Sequence, residues 1–158
     1  MPASRTLLSL SGCLALAACW LSAPESRSLA APAKESAAST KPVEPDMHEF
    51  MEYVFQPTFK RLKPAMAAAP ADNAGWKGIK ADSLVLAESG NLLLDRQPEE
   101  EGADWVRHSA SVRDLGGQLY RAAKAKDFAT AKSHYEQMVK SCNACHEQFA
   151  GGEHILTP

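Results

Sequence analysis

Between residues 46 and 151 the apolar positions recur at spacings of three and four rather than in alternation, and they do so in four blocks. That is the period of an amphipathic helix, not of a half-buried strand. The last block is the clearest: Phe128, Ala131, Tyr135, Met138, Cys142, Cys145 and Phe149 fall on one stripe and predict a helix over 127–150. The third, over 103–126, carries Trp105, His108, Val112, Leu115, Leu119 and Ala122. The second, over 74–95, carries Trp76, Ile79, Leu84, Leu86, Leu92, Leu93 and Leu94, and stops before Gln97-Pro98, because proline disfavours helical geometry in the residue ahead of it. The first opens at Asp46, which can cap it, with Glu49 three residues on as an acidic variant of the capping box. Pro57 within that block removes one backbone donor, so two helical pieces hinged near Gln56 are expected. Four amphipathic helices joined by short polar or proline-containing links predict an all-α fold, an antiparallel up-and-down four-helix bundle. Gly116-Gly117 in mid-helix costs about 1 kcal/mol per residue relative to alanine, which implies either a close neighbour at that point or a kink.

Ahead of the helices the character of the chain changes. Residues 1–18 hold a single charge, Arg5, before an uncharged apolar run, which reads as an export signal; the run is too short for the roughly 20 residues that span a bilayer. Leu16-Ala17-Ala18-Cys19 resembles the lipobox of bacterial lipoproteins, in which the cysteine is lipidated and becomes the mature N-terminus. Leu10-Ser11-Gly12-Cys13 fits the same pattern but would leave a very short hydrophobic region, so Cys19 is the preferred lipidation site. Ordinary cleavage after Ala30 is the alternative. Residues 19–45 are dominated by Ala, Ser, Pro, Glu and Lys, too poor in large apolar groups to offset the entropy of ordering, and are expected to be a disordered tether. The chain thus divides into a signal (1–18), a tether (19–45), a helical domain (46–152) and a tail (153–158). The expected location is the periplasmic side of a bacterial membrane, held by a lipid anchor, or the soluble periplasm if Cys19 is discarded.

Charge narrows the partners. Seventeen basic against nineteen acidic side chains leave a net charge of −2 over 158 residues, so no electrostatic footprint for nucleic acid stands out.

The chemistry concentrates at Cys142-Asn143-Ala144-Cys145-His146, a C-x-x-C-H run near the chain's end. In an oxidising compartment two such cysteines do not stay idle thiols. In an exported helical protein this run reads as an attachment site for one covalent haem c. Cysteines three apart share a helix face and can reach the two vinyl groups of one porphyrin, while His146, four residues after Cys142, projects from the same side toward the iron. Three other occupants stand beside haem: a structural zinc, which normally needs a fourth ligand; a redox dithiol, which normally opens a helix after a strand; and a plain disulfide.

An exported four-helix domain with C-x-x-C-H on its last helix resembles the class II cytochromes c, the cytochrome c′ group and its low-spin relatives. The resemblance spans roughly 46–151. Phe149, an aromatic three residues after the histidine, fits that family, whereas Ala150 stands where a basic residue often follows. The resemblance implies that helix one faces the far side of the iron. Met47 and Met51, four residues apart, and His48 beside them are then the candidates for the sixth ligand, with Met51 preferred and Met47 as the alternative. A methionine there implies a closed low-spin site suited to electron transfer; an apolar residue leaves an open iron. Family analogy also gives Arg61 a role beside the haem propionates. Lys60, Lys63, Arg107, Arg113 and Arg121 are weaker candidates for the same task, and His108 is expected to be a hydrogen-bonded core residue.

The expected function is therefore not enzymatic: a monohaem cytochrome carrying single electrons between redox partner proteins. The alternative is a cytochrome c′-like five-coordinate protein that binds nitric oxide or other small gases. A haem peroxidase, with His48 and Glu52 as its acid and base, is a third reading. The family includes dimers built on helix one, so a homodimer stands beside a monomer.

Overall fold

The computed structural model describes residues 41–158. The export signal, Cys13, the expected lipidation site Cys19 and all but the last residues of the tether lie outside the described residues. Within them the chain forms helices and no strand. A short helix α1 (Met47–Phe50), a π-helical turn (Met51–Phe55) and α2 (Gln56–Ala65) follow one another without a break, and α3 (Asn73–Leu94), α4 (Gly102–Ala125) and α5 (Phe128–Phe149) complete a bundle-like domain. No helix among the described residues is long and apolar enough to cross a membrane.

Three of the starts share one device. Asp46, Asp72 and Asp127 each accept from the backbone N–H three residues on, at 2.9, 2.9 and 3.1 Å, satisfying donors that a helix leaves open. The bonds from Thr130 hold the Asp127 carboxyl below its ordinary value. The reciprocal half of the expected box at Asp46 is different: its own N–H donates to Glu44 Oε1 at 2.8 Å, not to Glu49.

The hinge expected near Gln56 is absent. The Gln56 N–H reaches back five residues to the Met51 carbonyl, and the wider turn so formed receives Pro57 just inside α2. A proline ring otherwise clashes with the carbonyl four residues back; here the helix absorbs it by widening instead of breaking.

The core runs through Leu62, Ile79, Leu86, Leu119, Tyr135 and Met138, and a second cluster gathers Phe50, Leu93 and Trp105. On α4 the expected stripe is buried apart from Leu115, which is half-buried. On α3 it differs: Leu84 and Leu92 are exposed at 41% and 44%, while Ser83 and Gly90 are buried. Gly90 explains the exchange. A Cβ placed there would meet the Arg113 backbone nitrogen at 2.6 Å, and one on Gly116 would meet the Ala87 nitrogen at 2.9 Å. The two glycines let α3 and α4 approach backbone to backbone, so Gly116 serves a neighbouring helix, and α4 runs on without a break.

Backbones pack closely between α2 and α3, α3 and α4, and α4 and α5, but among the described residues no comparable approach joins the first helix to α5. That side of the domain is spanned by side chains such as Phe59 and Tyr135, whose rings stack 6.5 Å apart.

Candidate functional site

Where the first helix and α5 stand apart, a largely apolar cavity of about 450 Å³ opens, within the range of cofactor pockets. Met47, Met51, Phe55 and Phe59 contribute to its wall from the first helix, and Cys142, Cys145, His146 and Phe149 contribute from α5. Leu86, Leu93, Trp105 and Val112 add to the lining from α3 and α4. A second hollow of about 470 Å³ beside Lys63, Lys132 and Tyr135 holds none of these residues.

The α-helical period alone would not keep the first helix in register with this cavity. A repeat of four drifts by about 40° per step in a 3.6-residue helix, whereas the π turn takes up part of that drift between Met51 and Phe55. Met47, Met51, Phe55 and Phe59 accordingly all reach the same space. Both methionines are half-buried, so the structure gives the candidate pair without separating its members.

Cys142 and Cys145 are both unpaired thiols. Burial, with Cys145 close by, pushes the Cys142 thiol up to about 12, and burial raises Cys145 in the same direction. A redox-active dithiol needs the opposite, a lowered value, commonly obtained at a helix N-terminus. This pair lies near the C-terminal end of α5, where the helix dipole disfavours negative charge.

His146 is oriented by a partner that its sequence position does not announce. Its Nδ1 lies 2.9 Å from the His154 carbonyl oxygen. A carbonyl only accepts, so Nδ1 is the donor, and in the neutral ring that leaves the lone pair on Nε2, the tautomer that suits a metal ligand.

Phe149 is set edge-on against Trp105, with ring centroids 5.1 Å apart, and against His108 at 6.0 Å. The Trp105 indole N–H donates to the Leu93 carbonyl at 2.7 Å. His108 is buried as expected, with Nε2 3.1 Å from Gln148 Oε1. Gln148 in turn donates to Glu101 and Asp104; its bond and that of Arg107 lower the Asp104 carboxyl.

Arg61, expected beside the haem propionates, pairs within the domain with Asp82 of α3. It does not line the cavity. Its Nε and Nη2 both donate to the buried Asp82 Oδ1, at 3.0 and 2.7 Å, while the Arg61 side chain itself stays more than half exposed. Among the described residues no lysine or arginine lines the cavity; its polar rim is His48, Glu52, Gln56, Glu153 and His154. His48 Nε2 and Glu52 Oε2 lie 3.6 Å apart there.

Sequence reasoning missed the C-terminal tail. Residues 153–158 fold back, bringing His154 and Leu156 to the cavity. The signal available was Gly151-Gly152, which takes positive φ values of 60° and 78° and turns the chain at the end of α5.

Among the described residues no group of three or more His, Cys, Asp and Glu side chains forms a metal cage on its own. A search of family models, of curated proteins and of solved structures finds no match.

Proposed function

We propose that the chain is a monohaem c-type cytochrome that passes single electrons between redox partner proteins, its four helices forming an antiparallel bundle. One observation carries the reading. The paired cysteines, a histidine of the right tautomer and two methionines all line a single apolar cavity between helices that stand apart. The antiparallel arrangement is supported by residue pairs whose numbers rise on one helix as they fall on the next. Trp105 meets Leu93 while Gly116 meets Ala87, and Gln148 meets Asp104 while Ser141 meets Ser111.

Cys142 and Cys145 would hold the porphyrin through thioethers, His146 would supply one axial nitrogen, and Met51, or Met47, one thioether sulfur. The bound group supplies a reversible one-electron couple. The chain's own residues do the rest. Phe55, Phe59, Leu86 and Phe149 line the cavity with apolar surface that would shield a bound group from water, and the His154 carbonyl accepts from Nδ1 of His146. Lipidation at Cys19 would tether the domain to the periplasmic face of a membrane. Globomycin, which blocks lipoprotein signal cleavage, should make the precursor accumulate.

Optical spectra test the reading. The reduced protein should show a sharp low-spin spectrum that carbon monoxide barely alters, and Met51→Ala should convert it to one that binds carbon monoxide readily. Rapid, stoichiometric binding by the unaltered protein would favour the open, gas-binding site instead.

A further inference from the structure

We infer that the C-terminal segment after α5 is a positioning strap, in which Asn143 and Leu156 fix the His154 carbonyl so that it orients His146 and sets its donor strength. The inference rests on the haem reading above and deepens it. The contact of His146 Nδ1 with the His154 oxygen, at 2.9 Å, is a hydrogen bond to a segment at the very end of the chain. It fixes the ring only if that segment is itself fixed.

The strap is held at four points. The Asn143 side chain donates through Nδ2 to the Leu156 carbonyl at 2.9 Å and accepts the Leu156 N–H through Oδ1 at 2.8 Å, a reciprocal pair that mimics backbone pairing. Lys63 Nζ donates to the Thr157 carbonyl at 2.8 Å and to its hydroxyl at 2.6 Å. The Leu156 side chain packs against the main core. At the near end the Gly152 N–H closes on the His146 carbonyl at 3.0 Å. Between these anchors His154 takes a left-handed φ of 58°, which a non-glycine residue holds only where its surroundings over-determine it.

The placement of Asn143 is economical. It lies three residues before His146, on the same face of the same turn of α5. One of the two residues inside the C-x-x-C-H run with no expected role in attachment thereby clamps the ligand's partner. A histidine whose Nδ1–H is firmly bonded is the more basic donor at Nε2, and outer-shell partners of this kind change metal-site properties by about 10–100-fold. A stronger donor favours the more positively charged iron, so the strap should hold the midpoint potential down.

The test uses the full exported chain with its haem, in four forms: unaltered, truncated after Gly152, Asn143→Ala, and Ile155→Ala as a strap residue whose side chain is half exposed and outside the clamp. Three readouts are taken: mass, midpoint potential, and exchange of the His146 ring proton by nitrogen-15 NMR in the reduced state. The truncated and Asn143→Ala proteins should keep haem at full occupancy yet exchange the ring proton faster. Their potential should rise by the equivalent of about a tenfold shift in the redox equilibrium, 59 mV for one electron, while Ile155→Ala stays at the unaltered value. Haem-loaded variants with unchanged potential and unchanged ring-proton exchange would overturn the strap. An unaltered protein at the mass of the bare chain would overturn the haem reading beneath it, and mass tells the two failures apart.

Discussion

The α3–α4 seam and the side between the first helix and α5 are built on opposite rules. At the seam Gly90 and Gly116 remove side chains altogether, and the backbones close to where a single Cβ would collide. On the other side methionine, phenylalanine and cysteine hold two helices apart around about 450 Å³ of space. Packed interiors seldom leave voids much larger than a water molecule, so the wide apolar gap stands in contrast to the closely packed seam. The tight seam lets the loose side keep its shape, since α3 and α4 provide a rigid back to the cavity through Leu86, Trp105 and Val112.

The contrast breaks most sharply at the cysteines. Replacing Cys142 and Cys145 together by alanine should abolish covalent haem entirely, read as the loss of one haem mass and of colour in denatured protein. The close-packed seam should keep the chain helical by circular dichroism.

The next largest effect belongs to the seam. Gly90→Ala should destabilise the protein by about 1–3 kcal/mol through overpacking, whereas Gly78→Ala, whose Cβ would meet nothing within 4 Å, should stabilise α3 by about 0.5–1 kcal/mol. Urea unfolding of both variants checks the pair. Equal effects would mean that the seam is not tight.

The smallest effect is a difference in pH response. In a haem-free chain both thiols are raised by burial, Cys142 to about 12 from an ordinary 9.0. The native state then keeps protons that the unfolded chain has lost. Their contribution to stability is complete below about pH 9 and fades as the pH climbs toward 12. Tyr135, likewise raised by burial from 10.0 to about 12, joins only above pH 10, so Tyr135→Phe should leave the decline between pH 9 and 10 intact. Haem-loaded protein, whose sulfurs are thioethers, should lack that early decline. Thermal unfolding of both forms across this range checks the difference.

Much of this organisation is legible in the chain. The blocks over 74–95, 103–126 and 127–150 lie within about a residue of α3, α4 and α5, and the first opens at Asp46 directly ahead of α1, because apolar period and end signals agree there. Cys142, Cys145, His146, Met51, Met47 and Phe149 meet at one cavity because helical spacing of three and four places them on facing stripes. What the spacing could not reveal depends on contacts far apart in sequence. Arg61 is taken by Asp82 across two helices, and Leu84 and Leu92 are displaced from the core by a glycine crossing. Pro57 is accommodated by a wider turn, a backbone response that side-chain pattern does not encode. The tail has no apolar period at all, and it returns to the site through contacts such as Asn143–Leu156 and Lys63–Thr157.

We propose that the space between the first helix and α5 holds one porphyrin bound through Cys142, Cys145 and His146. The most direct measurement is the intact mass and visible spectrum of the protein exported from a host competent in cytochrome maturation. A mass increased by one haem, with colour that survives denaturation, is the predicted result. Colourless protein at the mass of the mature polypeptide and its anchor alone would contradict it.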